Sequence, residues 1–259
     1  LVDADIGYVV LNPRKIARFT ETPAEDAIRQ WSETVKMKSG QKISLSGTLH
    51  FSSELGGSSA AEAGRIGLYR TEYQVSEAGE LPSTRQLTKQ YEHLLARYGE
   101  TEITFRLFDF SEDKNFIKSP LIERDPALRG IRFLLREKKI LESQLTALIK
   151  AATETNRPIR ILIPYLSEST ELSEVLRLIA AINAGRRKAV LALGGMLENT
   201  AAVFTARRWT ERLDFFYAGT SDLMSAVAQK KRENTAAIQR SLLSDGSIAV
   251  CTALSELGR

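Results

Sequence analysis

The stretch "RPIRILIPYL" (residues 157–166) predicts the fold class of this chain, because it is short and almost wholly apolar. A predicted helix over 170–184 follows it and ends at Gly185, and a second apolar run, "KAVLALGGML" (188–197), comes next. Strands that are apolar on both faces and alternate with helices are typical of a parallel sheet covered by helices.

The same alternation extends through most of the chain. From "ISLSG" (43–47) onward, seven apolar runs predict strands, and helices are predicted between them, among them 83–98 and 125–155. An open doubly wound sheet and a (β/α)₈ barrel both fit this order. No GxGxxG or GxxxxGK[ST] motif follows the first strands, which disfavours a nucleotide-binding version of the open sheet.

Composition excludes several classes of function. The net charge of +4 is spread along 259 residues without a basic block, so nucleic acid is not an expected partner. No apolar stretch is long enough to span a membrane. The single cysteine, Cys251, excludes an internal disulfide framework and fits a reducing cytoplasm. With only His50 and His93 available, any metal would be held by oxygen ligands, which favours Mg²⁺ or Mn²⁺.

Polar residues stand at the predicted strand ends, where barrel enzymes place their chemistry. Glu198 and Asp222 end consecutive strands and could hold one Mg²⁺ together with water and substrate oxygens. Guanidinium groups at the same edge would suit a phosphate and a carboxylate. Taken singly, each such residue is as well explained by a solvated ion pair or an inert thiol, but six strand ends in a row favour a site. The other residues of this set are Arg70, Arg106, Asp109, Arg129, Pro164, Ser221, Arg232 and Cys251.

Several motifs resemble those of one enzyme family. "IGLYRTEY" (66–73) is similar to GxGLxRTEF, and "FRLFDFSEDK" (105–114) is similar to RTxDIGGDK. "LALGGMLENTAA" (191–202) resembles GxMxETPAA, and "LDFFYAGTSDLMSAVAQKKREN" (213–234) resembles xDFFSIGTNDLxQYxLAxDRxN. These are motifs of the phosphoenolpyruvate-utilising enzymes. The chain most resembles the C-terminal phosphoenolpyruvate-binding domain of Enzyme I of the sugar phosphotransferase system, the phosphoenolpyruvate–protein phosphotransferase.

This resemblance implies a (β/α)₈ TIM-type barrel that is incomplete, with the last strand and helices absent. It implies that residues 38–259 form the barrel and that residues 1–37 are a linker strand and helix leading from an absent phosphohistidine domain. In the family's pattern, Glu198 and Asp222 bind Mg²⁺, and Arg70, Arg106 and Arg129 bind the phosphoryl group. Arg232, with Ser221 and Asp222, binds the substrate carboxylate, and Cys251 protonates the enolate.

The resemblance also implies an activity and partners. The expected protein is a cytoplasmic transferase that passes the phosphoryl group of phosphoenolpyruvate to a histidine of a separate domain and releases pyruvate. That histidine would serve the phosphocarrier protein, and a homodimer is expected. Because neither His50 nor His93 is a credible phosphoryl acceptor, this chain alone is not expected to complete the transfer.

Two other interpretations remain open. The family's ETPAA is ENTAA here, and its ANIGT strand is replaced by SGTLHF, so the chain could be a catalytically degenerate paralogue that serves as a dimerisation or regulatory module. A different Mg²⁺-dependent barrel that acts on an enolate, such as a citrate-lyase-type enzyme, would also end consecutive strands in Glu and Asp. The stretch "GLYRTE" argues against that third interpretation.

Overall fold

The computed structural model describes most of the chain from residue 66 to residue 228. The described ranges there are 66–76, 78–110, 117–125, 128–184 and 189–228, and shorter ones precede them at 2–3, 8–9, 34–36, 40, 42–44 and 46–49. Two small antiparallel pairs come first along the chain. They are β1 (Val2–Asp3) with β2 (Tyr8–Val9), and β3 (Thr34–Lys36) with β4 (Lys42–Ser44).

A six-stranded sheet forms the centre of the fold. Its strands are β5 (Gly47–Leu49), β6 (Ile66–Arg70), β7 (Ile103–Arg106), β8 (Ile159–Ile163), β9 (Leu191–Leu197) and β10 (Phe215–Ala218). Every neighbouring pair is parallel, and the strands lie side by side in chain order. A doubly wound sheet reverses its strand order at a switch point, and this sheet does not.

Tyr217 shows that the sheet curls. Its hydroxyl on β10 donates to the carbonyl oxygen of Gly67 on β6 at 2.6 Å and lies 3.0 Å from the Thr104 hydroxyl on β7. In a flat sheet, the four strand spacings between β10 and β6 would span about 19 Å, far beyond the reach of one tyrosine. The described strands therefore form a half-barrel, and for this part of the chain the prediction of an α/β, incomplete TIM-type barrel is confirmed. The seventh predicted strand lies outside the described residues.

Helices follow the strands and cover the outer face of the sheet. They are α1 (Thr84–Arg97), α2 (Pro120–Arg124), α3 (Ile131–Arg136), α4 (Lys138–Thr155), α5 (Ser169–Asn183), α6 (Thr200–Thr205) and α7 (Thr220–Ala228), with 3₁₀ turns at Thr71–Gln74 and Ala206–Trp209. Helix α1 begins where predicted, because Ser83 and Gln86 form a capping box.

Along each strand, successive side chains point alternately toward the helices and toward the interior of the half-barrel. On β7, Ile103 and Phe105 are buried, and Phe105 makes edge contacts with the rings of Tyr69 and Tyr91 at centroid distances of 5.7 and 5.2 Å. The other two residues of β7, Thr104 and Arg106, belong to the opposite face of the strand. Arg106, the last of these, therefore points to the inside of the half-barrel at its carboxyl end.

The helix predicted over 125–155 is wrong in its first part. Asp125 ends α2, and the chain then makes a sharp bend at Gly130 before α3. The bend exists because the Gly130 amide donates to the carbonyl of Phe110 at 3.3 Å and the Ile131 amide donates to that of Pro164 at 3.1 Å. These bonds tie the segment to the sheet edge. The predicted strand 43–47 is likewise divided between the ends of β4 and β5.

Replacing Tyr217 with phenylalanine should lower the free energy of unfolding by roughly 1–2 kcal/mol, because its hydroxyl bonds across the half-barrel are lost. Urea unfolding measures the change. Tyr98→Phe is the matched control, since within the described residues the buried Tyr98 hydroxyl has no hydrogen-bond partner. Equal unfolding free energies for the two variants would contradict the inferred curl.

Candidate active site

Glu72 joins two arginines at the ends of neighbouring strands. Arg70 ends β6 and Arg106 ends β7, and they are partners in the strand register. The Nε of Arg70 donates to Glu72 Oε1 at 3.0 Å, and a terminal nitrogen of Arg106 forms an ion pair with the same oxygen. The Glu72 side chain is fully buried, whereas 22% of the Arg70 side chain is exposed, so Arg70 lies nearest to solvent. The Arg70 guanidinium also lies 4.9 Å from the centroid of the Tyr73 ring.

Arg129 connects the two sides of the half-barrel. It lies just before α3, and its guanidinium reaches Asp109 Oδ2, beyond β7, at 3.3 Å. The same group reaches both carboxylate oxygens of Asp222, beyond β10, at 3.3 and 3.4 Å. It also covers the ring of Tyr165 at 4.4 Å. Burial alone would lower the pKa of Arg129, but the charges of Asp109 and Asp222 outweigh it and raise that pKa.

Asp109 is also shared with Arg106, whose Nη1 lies 3.5 Å from Asp109 Oδ2. Burial disfavours the charged form of Arg106, yet the neighbouring carboxylates of Glu72, Asp109 and Glu198 raise its pKa overall. Arg106 is therefore held as a buried cation between acidic groups. This chain of ion pairs joins the ends of β6, β7 and β10.

Glu198 follows β9 directly and is buried beneath the loop after β10. Its Oε1 accepts a hydrogen bond of 2.6 Å from the backbone amide of Tyr165. Tyr165 has a positive φ of 55°, an uncommon conformation for a non-glycine residue, which allows its amide to point at this carboxylate. A Cβ at Gly219 would lie 2.5 Å from Glu198 Cβ and 2.9 Å from its Oε2. Glycine at position 219 thus leaves the space that Glu198 occupies.

The carboxylates around Glu198 change its proton affinity. Burial and, after it, the negative charges of Asp109 and Asp222 raise the pKa of the Glu198 carboxyl, while Arg106 and Arg129 lower it, and the net result is a pKa of about 7. Without a cation, ionised Glu198 is therefore disfavoured. A dication bound among these oxygens would shift the balance back toward the ionised form.

The donor set fits a hard cation with an incomplete protein shell. Glu198 and Asp222 offer carboxylate oxygens at neighbouring strand ends, and their mutual repulsion is evident in the raised pKa of Glu198. In the part of the chain that the structure describes, no three His, Cys, Asp or Glu side chains form a metal-binding group. Mg²⁺ at these two carboxylates would thus need water and substrate oxygens to complete its coordination, which is its usual mode of binding.

The structure brings together five of the residues predicted for the site: Arg70, Arg106, Arg129, Glu198 and Asp222. Ser221 is exposed in the first turn of α7, beside Asp222. Arg232 and Cys251 lie outside the described residues. The roles assigned to all of these residues stay predictions.

Two acidic residues of the site had no predicted role: Glu72 was not among the predicted residues, and Asp109 was named only as a strand-end residue. Glu72 and Asp109 are both fully buried, and both are bonded to arginines. The available signal was their position, since each follows a strand whose last residue is arginine, and a buried cation needs a partner.

The site is of the class that parallel barrels build at the carboxyl ends of their strands. Residues 25–257 match the family model described as the PEP-utilising enzyme, PEP-binding domain, where PEP is phosphoenolpyruvate. The match covers most of the chain, and the chain belongs to this family. None of the helices in the described part is long and apolar enough to cross a membrane.

Several curated proteins are similar to this chain. A protein from Escherichia coli K12 named phosphoenolpyruvate-dependent phosphotransferase system is 30% identical over 210 residues, which are 77% of this chain and 28% of that protein. Phosphoenolpyruvate-protein phosphotransferases from Chlamydia pneumoniae and Cupriavidus necator are 35% and 27% identical, over 65% and 91% of this chain. The matches span 29% and 43% of those two proteins, so the chain spans less than half the length of these relatives.

Proposed function

We propose that this chain is the phosphoenolpyruvate-binding barrel of a phosphoenolpyruvate–protein phosphotransferase and that it binds its substrate together with Mg²⁺. Membership of the PEP-binding family supports the substrate. The observation that carries the proposal is the chain of ion pairs from β6 to β10, which places guanidinium groups and carboxylates at one mouth of the half-barrel.

The charge balance of the described site supports the need for a cation. Three arginines face four acidic residues there: Glu72, Asp109, Glu198 and Asp222. With all of them ionised, the group carries one excess negative charge, and with Glu198 protonated the charges only balance, so in neither state does the group attract a phosphate that also bears a carboxylate. A divalent cation reverses the sign of this excess, so anion binding is expected to depend on it.

Each residue has a proposed part. Glu198 and Asp222 would hold Mg²⁺, which supplies positive charge for the phosphoryl oxygens of the bound substrate. Arg70, Arg106 and Arg129 would bind and orient the phosphoryl group, with Arg106 as the most deeply buried of the three cations. The backbone near Ser221, with Arg232, would bind the substrate carboxylate, and Cys251 would donate a proton to the enolate.

The remaining assignments concern the whole protein. The names of its relatives support transfer of the phosphoryl group from phosphoenolpyruvate to a protein. From the resemblance to Enzyme I, we propose that this group passes to a histidine of a separate domain and then to a phosphocarrier protein of the sugar phosphotransferase system, with release of pyruvate. From the same resemblance we propose that the protein is cytoplasmic and forms a homodimer. We also propose that residues 1–37 form a linker and that residues 38–259 form the barrel.

Calorimetry with phosphoenolpyruvate tests the proposal. The chain should bind phosphoenolpyruvate in Mg²⁺, and chelating the metal should weaken binding by at least about ten-fold, since the excess negative charge of the site returns. Asp222→Asn keeps the shape of the side chain but loses its charge, and it should bind at least about ten-fold more weakly in Mg²⁺.

Asp214→Asn is the matched control. Asp214 lies at the opposite end of β10, where its Oδ2 accepts a 2.7 Å bond from the Leu193 amide, and this variant should bind as the wild type does. Binding that is equally tight without a divalent cation, or unchanged in Asp222→Asn, would refute the proposal.

A further inference from the structure

Gln144 is a buried amide that lies behind the arginine cluster. It belongs to α4, and its side chain is fully buried among the apolar residues of that helix. Its Nε2 donates to the Thr71 hydroxyl at 2.8 Å, and its Oε1 accepts from the Phe108 backbone amide at 2.9 Å. The Tyr91 hydroxyl, on α1, lies 3.4 Å from the same Nε2. One helix side chain thus bonds the segments that follow β6 and β7.

Both segments carry residues of the site. Thr71 stands between Arg70 and Glu72, and Phe108 directly precedes Asp109. The Thr71 hydroxyl, which accepts from Gln144, donates in turn to the carbonyl oxygen of Arg106 at 2.7 Å. The amide of Gln144 therefore lies within one or two residues of every charged group at the ends of β6 and β7.

An amide fits this position better than other side chains of its size. It must donate to a hydroxyl and accept from a backbone amide at the same time, and glutamine offers both groups on one rigid plane. A carboxylate would lack the donor, and a methionine would lack both. A buried polar group whose bonds are all made fixes its neighbours closely, because any shift leaves a bond unmade in a dry interior.

From this geometry we infer that Gln144 is a positioning residue for substrate binding. It fixes the positions of the ends of β6 and β7 relative to each other. The guanidinium groups of Arg70 and Arg106 are thereby held on Glu72 in the orientation that binds the substrate anion. The inference rests on the proposed function for its ligand, but the geometry that it invokes belongs to the free protein. It extends the site inward, to a helix residue that does not reach the substrate.

The test compares Gln144→Met with Thr88→Val. Thr88 is buried in α1, and its hydroxyl donates to the Thr84 carbonyl at 2.8 Å within that helix, so both variants lose buried hydrogen bonds. Calorimetry with phosphoenolpyruvate and Mg²⁺ should show affinity weaker by about ten-fold to a hundred-fold in Gln144→Met, because the guanidinium groups are displaced. Thr88→Val should bind as the wild type does, because the bond that it loses lies within α1.

A second variant and a second measurement keep the inference testable. Thr71→Val removes the acceptor of the Gln144 amide while keeping the side-chain shape, and it should weaken binding to a similar degree. Hydrogen exchange in the peptide 105–110 should be faster in Gln144→Met, because the Phe108 amide loses its acceptor, and should be unchanged in Thr88→Val.

The outcomes separate the inference from the proposed function. If the wild type fails to bind phosphoenolpyruvate, the proposed function falls, and exchange in peptide 105–110 alone then decides whether Gln144 fixes the strand ends. If the wild type binds and both Gln144→Met and Thr71→Val bind equally well, the inference is overturned and the proposed function stands. Unchanged exchange in Gln144→Met overturns it as well.

Discussion

Replacing Gly130 with alanine is expected to lower the free energy of unfolding by about 3–5 kcal/mol. Gly130 has φ 53° and ψ −132°, a region of backbone space that side chains essentially exclude. An added Cβ would also lie 2.6 Å from the Cβ of Tyr165 and 3.0 Å from the carbonyl oxygen of Pro164. Neither atom is at the free end of a flexible side chain, so the backbone of α3 or of the β8 end must move.

Such a movement would reach the site, since Arg129 precedes Gly130 and covers the ring of Tyr165. Phosphoenolpyruvate binding should therefore weaken together with stability. Gly99→Ala is the matched control, because Gly99 also has a positive φ, 47°, but no atom lies within 4 Å of an added Cβ. That variant should lose only about 1 kcal/mol, from its backbone conformation. Urea unfolding of both variants decides the matter, and equal losses would contradict the close packing at Gly130.

The alternation of strands and helices along the chain could be predicted because it depends on local patterns. Each strand is a short apolar run, and each is separated from the next by a helical period, which is enough to predict a parallel α/β sheet. The positions of Arg70, Arg106 and Glu198 follow from the same pattern, since parallel strands bring their carboxyl ends to one edge. The choice between a barrel and an open sheet needed a contact between distant strands, and the hydrogen bond of Tyr217 across the half-barrel provides that contact.

The contacts that organise the site could not be predicted in this way. The bend at Gly130 is made by backbone bonds to Phe110 and Pro164, which are distant in the sequence. Helical periodicity contains no trace of such bonds, so it predicted an unbroken helix there. Gln144 did leave a signal, because it interrupts the apolar face formed by Leu141, Leu145 and their neighbours. A polar residue on such a face needs buried partners, but periodicity does not identify them.

Removing the charge of Glu198 should stabilise the metal-free protein at high pH. Its pKa is raised from 4.5 to about 7 by burial first, and then by Asp109 and Asp222. Between these two pH values the folded protein binds a proton that the unfolded chain has lost, so stability falls as pH rises through this window. Above pH 7 the full penalty of the buried charge is present, and below pH 4.5 it is absent.

Glu198→Gln should therefore be more stable than the wild type by about 3 kcal/mol at pH 8 and nearly equal to it at pH 4.5, in the presence of a chelator. Urea unfolding across this pH range measures the difference, with Glu142→Gln on the exposed face of α4 as the control that should show no such trend. Mg²⁺ should stabilise the wild type at pH 8 and leave Glu198→Gln unchanged, because bound metal stabilises only the fold that holds it. If the free energy of unfolding changes by the same amount from pH 5 to pH 8 in the wild type and in Glu198→Gln, the raised pKa of Glu198 is contradicted. If Mg²⁺ raises the free energy of unfolding of both proteins equally, Glu198 is not a ligand of the proposed metal site.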